Sequence, residues 1–272
     1  MTKTRWLGLA FGAVWGASLA LPAMAGPGCT IIVDAKSGEV LVQDGPCGTR
    51  ESPASTFKIA LSLMGYDSGA LVDARTPARP YKDEYRAMME SWKVTTDPTI
   101  WMEDSVVWYS QVLTREMGSE KFADYVARFN YGNGDISGDP GRNNGLTNAW
   151  LGSSLLISPA EEVGFIRRML AGQLGVSKEA IAKTKAIMPS FPADDDWTVY
   201  GKTGSGLLRA TPDYPKRDRQ FGWFVGWATK GSRTIAFAAL VRDDEKKDDR
   251  AGVRLRGQFI ERLPALMSAA RK

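Results

Sequence analysis

The chain contains no histidine in its 272 residues. That absence excludes a Ser-His-Asp triad, a Cys-His dyad and any zinc site built on histidine ligands. If the protein is a hydrolase, a lysine or a carboxylate has to move the protons. Cysteine is scarce, with only Cys29 and Cys47. An excess of one charge is also lacking, since 35 Lys and Arg stand against 31 Asp and Glu, and no electrostatic footprint for nucleic acid is visible. Past the first 25 residues no apolar run is long enough to cross a bilayer, and no internal repeat or low-complexity segment occurs.

The one long apolar run lies at the start. Lys3 and Arg5 precede apolar residues 6–21, and Ala23, Met24 and Ala25 follow as a small-x-small cleavage site. Residues 1–25 therefore read as a secretory signal peptide, which predicts a periplasmic or secreted protein with no membrane attachment after cleavage. Subtracting Lys3 and Arg5 from the 35 basic residues leaves 33 against 31 acidic ones, a mature charge near +2. The remaining residues 26–272 suffice for one catalytic domain with one large core or two closely packed parts.

Between the two cysteines, residues 30–42 read as two short strands around a turn at Lys36, Ser37 and Gly38. This places Cys29 and Cys47 across from each other, so a disulfide is predicted in an exported chain. Closing a loop of this length contributes about 3 kcal/mol.

The stretch Ser52-Pro53-Ala54-Ser55-Thr56-Phe57-Lys58 runs without a break into Ile59-Ala60-Leu61-Ser62-Leu63-Met64. Proline suits a first helical turn, and the apolar run predicts a buried helix. Residues three apart share a helix face, so Ser55 and Lys58 form a nucleophile-plus-base pair. An ammonium cannot accept a proton. At a reference pKa of about 10.4 only about one lysine in two thousand is neutral at pH 7, so burial must depress the value by roughly 3 units.

Residues 69–104 read as a long connection with short helices and aromatic packing anchors, among them Trp92 and Trp101. A helical pattern follows through Val112, Phe122, Tyr125, Val126 and Phe129, ending at Tyr131-Gly132-Asn133-Gly134. Ser158-Pro159-Ala160-Glu161 reads as a capping box that opens another helix. The residues from Trp197 to Gly204, then 220–227 and 234–241, read as strands. The final helix has Leu255, Phe259, Ile260, Leu263, Leu266 and Met267 on one stripe, and Pro264 is predicted to kink or shorten it. The acidic and basic run 243–250 reads as a solvated turn. Strands thus come from both chain ends and helices from the middle. The predicted class is α+β: an antiparallel sheet from about 26–50 and 195–272, terminal helices, and an inserted helical part over about 51–194, with a cleft between.

Ser-x-x-Lys at Ser55, Ser105-Val106-Val107, Tyr131-Gly132-Asn133, Trp150 before a capped helix, and Lys202-Thr203-Gly204 on a late strand stand in that order. Together they resemble the penicillin-recognising serine enzymes and, within them, the class D serine β-lactamases, or oxacillinases. Val107 stands where a penicillin-binding protein carries a polar asparagine, which points to class D. The resemblance covers essentially the whole mature chain.

It implies a β-lactam hydrolase that confers antibiotic resistance, with Ser55 acylated and Lys58 carboxylated on its amine as general base for both half-reactions. No cofactor is implied beyond carbon dioxide or bicarbonate, and no metal. Burial by Phe57, Val107, Trp150 and Leu151 favours the neutral amine that carbon dioxide requires. Trp150 donates its indole N–H to the carbamate and Val107 shields it. Ser105 relays a proton to the departing β-lactam nitrogen. Lys202 and Thr203 hold the substrate carboxylate and assist the relay, Gly204 lets substrate lie against the strand, and the N–H groups of Ser205 and Ser55 form an oxyanion hole. A further carboxylate-binding arginine is implied before the last helix, Arg256 or its neighbour Arg254. Tyr131, Gly132 and Asn133 wall one side of the cleft.

The competing reading is a β-lactam sensor domain or penicillin-binding protein that is acylated but not turned over. The partners implied are small-molecule β-lactams, with the protein a monomer or dimer. The segment 207–219 is expected to decide the substrate spectrum.

Overall fold

The computed structural model describes residues 28–210, 212 and 215–270. The signal-peptide reading of residues 1–25 lies outside the described residues. Strands β1 (Cys29–Asp34) and β2 (Val40–Asp44) form the hairpin. A 3₁₀ turn, Ala54–Phe57, leads into α1 (Lys58–Ser68). Helices α2 (Pro98–Glu103), α3 (Val107–Met117), α4 (Ser119–Arg128), α5 (Gly145–Asn148), α6 (Pro159–Leu170) and α7 (Lys178–Ala186) fill the middle. Strands β3 (Ser190–Ala193), β4 (Trp197–Leu207), β5 (Gln220–Lys230) and β6 (Arg233–Arg242) precede α8 (Ala251–Ala269).

The six strands form one sheet in the order β2-β1-β6-β5-β4-β3, antiparallel throughout. The N-terminal hairpin joins the sheet beside β6, so the two chain ends meet in one layer. The Cys29–Cys47 disulfide ties the start of β1 to the loop after β2. Alternation then sorts the strand side chains between two cores. Ile32, Val199, Phe224 and Phe237 face α8 and pack on Phe259 and Leu263, whereas Ile31, Val33, Trp223 and Val225 face the helical part. Because helices cover both faces, β5 and β6 are apolar almost without interruption, unlike a sheet with one wet face.

Several expectations change in detail. The helix with Ser55 starts later than predicted, because Ala54 has φ +48° in the left-handed region and Ser55 sits in the 3₁₀ turn that follows it. The single helical pattern from Val112 through Phe129 is two helices, split at Gly118 with φ +79°. The short edge strand β3 starts at 190, before the predicted sheet boundary. It contains Pro192, whose missing donor an edge strand tolerates. Pro264 does not end α8, which continues to Ala269 and buries Leu266 and Met267 beyond it. The predicted capping box is present: Ser158 accepts from the Glu161 N–H, and the Glu161 carboxylate accepts from the Ser158 N–H.

Candidate active site

A cavity of about 330 Å³ opens between the sheet and the helical part, lined by Ser55, Ser105, Val107, Leu151 and the backbone of 203–206. The 3₁₀ turn carries Ser55 to its floor, and Lys58, one turn on, brings its Nζ to 3.4 Å from Ser55 Oγ. Lys58 is fully buried. Desolvation holds its amine well below the usual lysine range, and the nearby Lys202 pushes in the same direction.

Phe57, the residue before this lysine, belongs to a cluster of aromatic rings. Phe57 lies 5.5 Å from the Trp150 ring and Phe122 6.2 Å from it. Trp150 is buried, and its indole N–H has no hydrogen-bond partner among the described residues. An orphaned buried donor costs about 1–3 kcal/mol. An orphaned donor in this aromatic cluster is of the kind that would suit the carbamate implied by the resemblance.

Ser105 stands between α2 and α3 with φ +64°, strain of the kind that persists where surrounding structure enforces it. This conformation presents its hydroxyl to Lys202, whose Nζ donates to Ser105 Oγ at 2.9 Å and to the Thr203 carbonyl at 3.2 Å. Burial lowers the Lys202 amine to about 7, helped by the positive charges of Arg256 and Arg250 and opposed by Asp104.

Strand alternation positions the rest. Lys202 and Gly204 share the face of β4 toward the nucleophile turn. A Cβ on Gly204 would stand 2.8 Å from the Pro53 carbonyl and 3.3 Å from the Ser55 nitrogen, so only glycine admits this approach. Ser205 points its side chain the other way, where its Oγ accepts from the Gly252 N–H at 2.9 Å in the first turn of α8. The β3 pairing ends opposite Tyr200, leaving the 202–207 edge of β4 with no paired strand among the described residues.

Three arginines near the start of α8 have different surroundings. Arg254 is held by Asp243, at 2.6 and 2.7 Å, and by Asp249. Arg256 stacks over Phe191 at 4.7 Å and lines an adjoining pocket with Lys202 and Thr203. Arg250 is the arginine on the wall of the Ser55 cavity, in contact with Met89 Sδ. In the sequence Arg250 ends a charged run that reads as solvated, which gives no sign of this position. That run is itself partly internal, since the Asp243 side chain is fully buried against Arg254 and Lys247. Met88, Met89, Trp92, Leu207 and Val253 complete an apolar rim that the sequence did not single out as such. Tyr131 and Asn133 are structural: Asn133 donates to the Ser154 carbonyl, and Tyr131 bonds to Glu162. The described residues contain no cluster able to hold a metal ion.

A buried lysine beside a serine, a second serine-lysine pair facing it and a strand edge left open define a serine acyl-transfer enzyme of penicillin-recognising type. Consistent with that class, residues 28–264 match the family model of the penicillin binding protein transpeptidase domain. Beta-lactamase OXA-9 of Klebsiella pneumoniae is 44% identical over 88% of this chain and 88% of its own. Beta-lactamase OXA-1 of Escherichia coli is 40% identical over 78% of this chain and 75% of its own. The crystal structure of the OXA-427 class D β-lactamase superposes with a TM-score of 0.82 at 43% identity, covering 89% of this chain and 99% of that one. The chain belongs to the class D serine β-lactamases, hydrolases of β-lactam antibiotics.

Proposed function

We propose that Ser55 is the acylated nucleophile and that the Lys58 side chain, carboxylated on its amine, is the general base of both half-reactions. The observation that carries this reading is a fully buried amine 3.4 Å from the serine hydroxyl, its charged form disfavoured by desolvation. Carbon dioxide on the neutral amine supplies an anionic oxygen that can take a proton and that the Trp150 N–H can hold. Phe57, Val107 and Leu151 keep bulk water from it.

Ser55 Oγ gives its proton to the Lys58 side chain as it attacks the β-lactam carbonyl. The Ser55 and Ser205 N–H groups take the charge that develops on the carbonyl oxygen. Ser105 Oγ passes its proton to the departing nitrogen and regains one from Lys202 Nζ, 2.9 Å away. In the second half-reaction the Lys58 side chain, its first proton lost through solvent to Lys202, takes a proton from the water that attacks the acyl carbonyl and returns it to Ser55 Oγ as the ester bond breaks. Thr203 and Arg250 on the cavity wall, with Lys202 behind them, take the substrate carboxylate, while Arg256 acts from the adjoining pocket on the Lys202 charge.

Export across an inner membrane is proposed for the same protein. The disulfide supports an oxidising compartment, periplasmic or extracellular. No helix among the described residues is long and apolar enough to cross a membrane.

Intact-mass measurement after mixing with a penicillin tests the assignment. The wild-type protein is expected to return to its free mass after many turnovers, and Lys58→Ala to lose turnover. Turnover by Lys58→Ala at the wild-type rate would refute the base assignment. A lasting stoichiometric adduct on the wild type would favour the sensor or penicillin-binding reading.

A further inference from the structure

Behind the nucleophile turn lies a carboxyl that the chemistry above does not use. Glu162, on α6, is 1% exposed and stands within hydrogen-bonding distance of two hydroxyls. Thr56 Oγ1 is 2.8 Å from Glu162 Oε1, and Tyr131 Oη is 3.0 Å from it. Thr56 follows Ser55 directly, and its Oγ1 is also 2.8 Å from the carbonyl of Pro53, inside the turn that carries the nucleophile.

The protons at this cluster can be counted. Thr56 has one hydroxyl hydrogen and two acceptors at the same distance. If it donates to Glu162, its hydroxyl bond to the Pro53 carbonyl is lost. If it donates to Pro53, a second hydrogen is needed between Thr56 and Glu162, and only a protonated Glu162 has one. Every contact is thus satisfied together when Glu162 is neutral. The same Pro53 carbonyl is the atom against which Gly204 of β4 packs, so this bond fixes the part of the turn that meets the strand.

We propose that Glu162 is a positioning residue that, in its protonated form, holds the Ser55 turn in register with β4 through Thr56 and the Pro53 carbonyl. The inference rests on Ser55 being the acylated hydroxyl. Ionisation of Glu162 redirects the Thr56 hydrogen to the carboxylate, frees the Pro53 carbonyl from the side chain and loosens the turn.

The surroundings favour the neutral form. Desolvation raises the Glu162 carboxyl to about 7, with the Thr56 and Tyr131 hydroxyls opposing and the charge of Glu161 adding to the rise. Glu161 is on the same helix and is itself paired with Arg50. Tyr131 is held well above its usual range by burial and by Glu162, so it stays a donor. The strands that α6 packs against bring Ile31, Val33, Val225 and Ala238 to the core on this side, none of which is charged. The folded protein therefore keeps a proton that the unfolded chain loses above about 4.5. The stability this contributes is complete below that value and is lost as pH rises through about 7.

The test compares wild type, Glu162→Gln and Thr56→Val from about pH 5.5 to about pH 9, reading thermal midpoint and the rate of adduct formation at Ser55 by rapid-quench mass measurement. Gln keeps the shape, donates at every pH and does not ionise. Between about pH 6 and about pH 8 the neutral fraction of a group titrating at about 7 falls roughly tenfold, so wild-type acylation is expected to fall up to about tenfold more than that of Glu162→Gln. The wild-type thermal midpoint should also drop further over that interval. Thr56→Val should keep the pH-dependent midpoint but lose the extra fall in acylation, because the carboxyl remains while its link to the turn is gone. Parallel acylation profiles for wild type and Glu162→Gln, or an undiminished extra fall in Thr56→Val, overturn the proposal. An adduct absent from Ser55 in all three proteins overturns the nucleophile assignment and this inference with it.

Discussion

Replacing Trp150 by Phe removes one atom group of interest, the buried indole N–H, and leaves most of the ring contact with Phe57 and Phe122. That N–H has no partner among the described residues, at a cost of about 1–3 kcal/mol. Deleting it relieves this cost while the smaller ring leaves a void, so the net change in stability should be small, within about 2 kcal/mol. Binding of the carbamate should change far more. A hydrogen bond to a charged acceptor in a buried site contributes about 1.5–3 kcal/mol. At about 1.4 kcal/mol per factor of ten, the bicarbonate needed for half-maximal turnover should rise about 10- to 100-fold. Deacylation, which needs the same base, should slow, while acylation remains partly intact. The assay is a bicarbonate titration of steady-state turnover, with single-turnover mass measurement to separate the two half-reactions. An unchanged bicarbonate midpoint together with full deacylation would show that Trp150 is only a core aromatic.

Gly204→Ala should push β4 from the nucleophile turn, because its Cβ would stand 2.8 Å from the Pro53 carbonyl. Overpacking of this kind costs about 1–3 kcal/mol, so acylation should fall about tenfold or more in stopped-flow measurements, and an unchanged rate would mean that the turn yields freely. Arg250→Ala should raise KM for penicillins about tenfold or more by removing a charged donor to the carboxylate, with a smaller effect for Arg256→Ala; the reverse order would return the role to Arg256. Cys29→Ser, which opens the disulfide across 18 residues, should lower unfolding stability in urea by about 3 kcal/mol, and an unshifted curve would contradict that.

Much of this site was legible because its chemistry is local in sequence. Ser55 and Lys58 are three residues apart, and Lys202 and Gly204 share a strand face, so the spacing of the motifs, taken with their order along the chain, points to atoms that the fold brings together. The hairpin, the capping box at Ser158 and the late strands followed from periodicity and turn residues in the same way. What escaped notice depended on packing between distant segments. Nothing in the run 243–250 distinguishes Asp243, which is buried against Arg254, from its solvated neighbours, nor marks Arg250 as the residue turned into the cavity. Likewise Glu161 and Glu162 are adjacent identical residues on a helix; one faces Arg50 at the surface and the other is buried behind the nucleophile turn. The positive φ at Ala54 and Ser105 carries no composition signal, because neither is glycine, asparagine or aspartate.

The central claim is that a carboxylated Lys58 drives turnover. The most direct measurement follows hydrolysis of a chromogenic cephalosporin by the mature protein, degassed at mildly acidic pH, before and after bicarbonate is restored. The account predicts many turnovers that fade on degassing and return with bicarbonate. A single stoichiometric burst that bicarbonate does not alter, or sustained turnover indifferent to degassing, would contradict it.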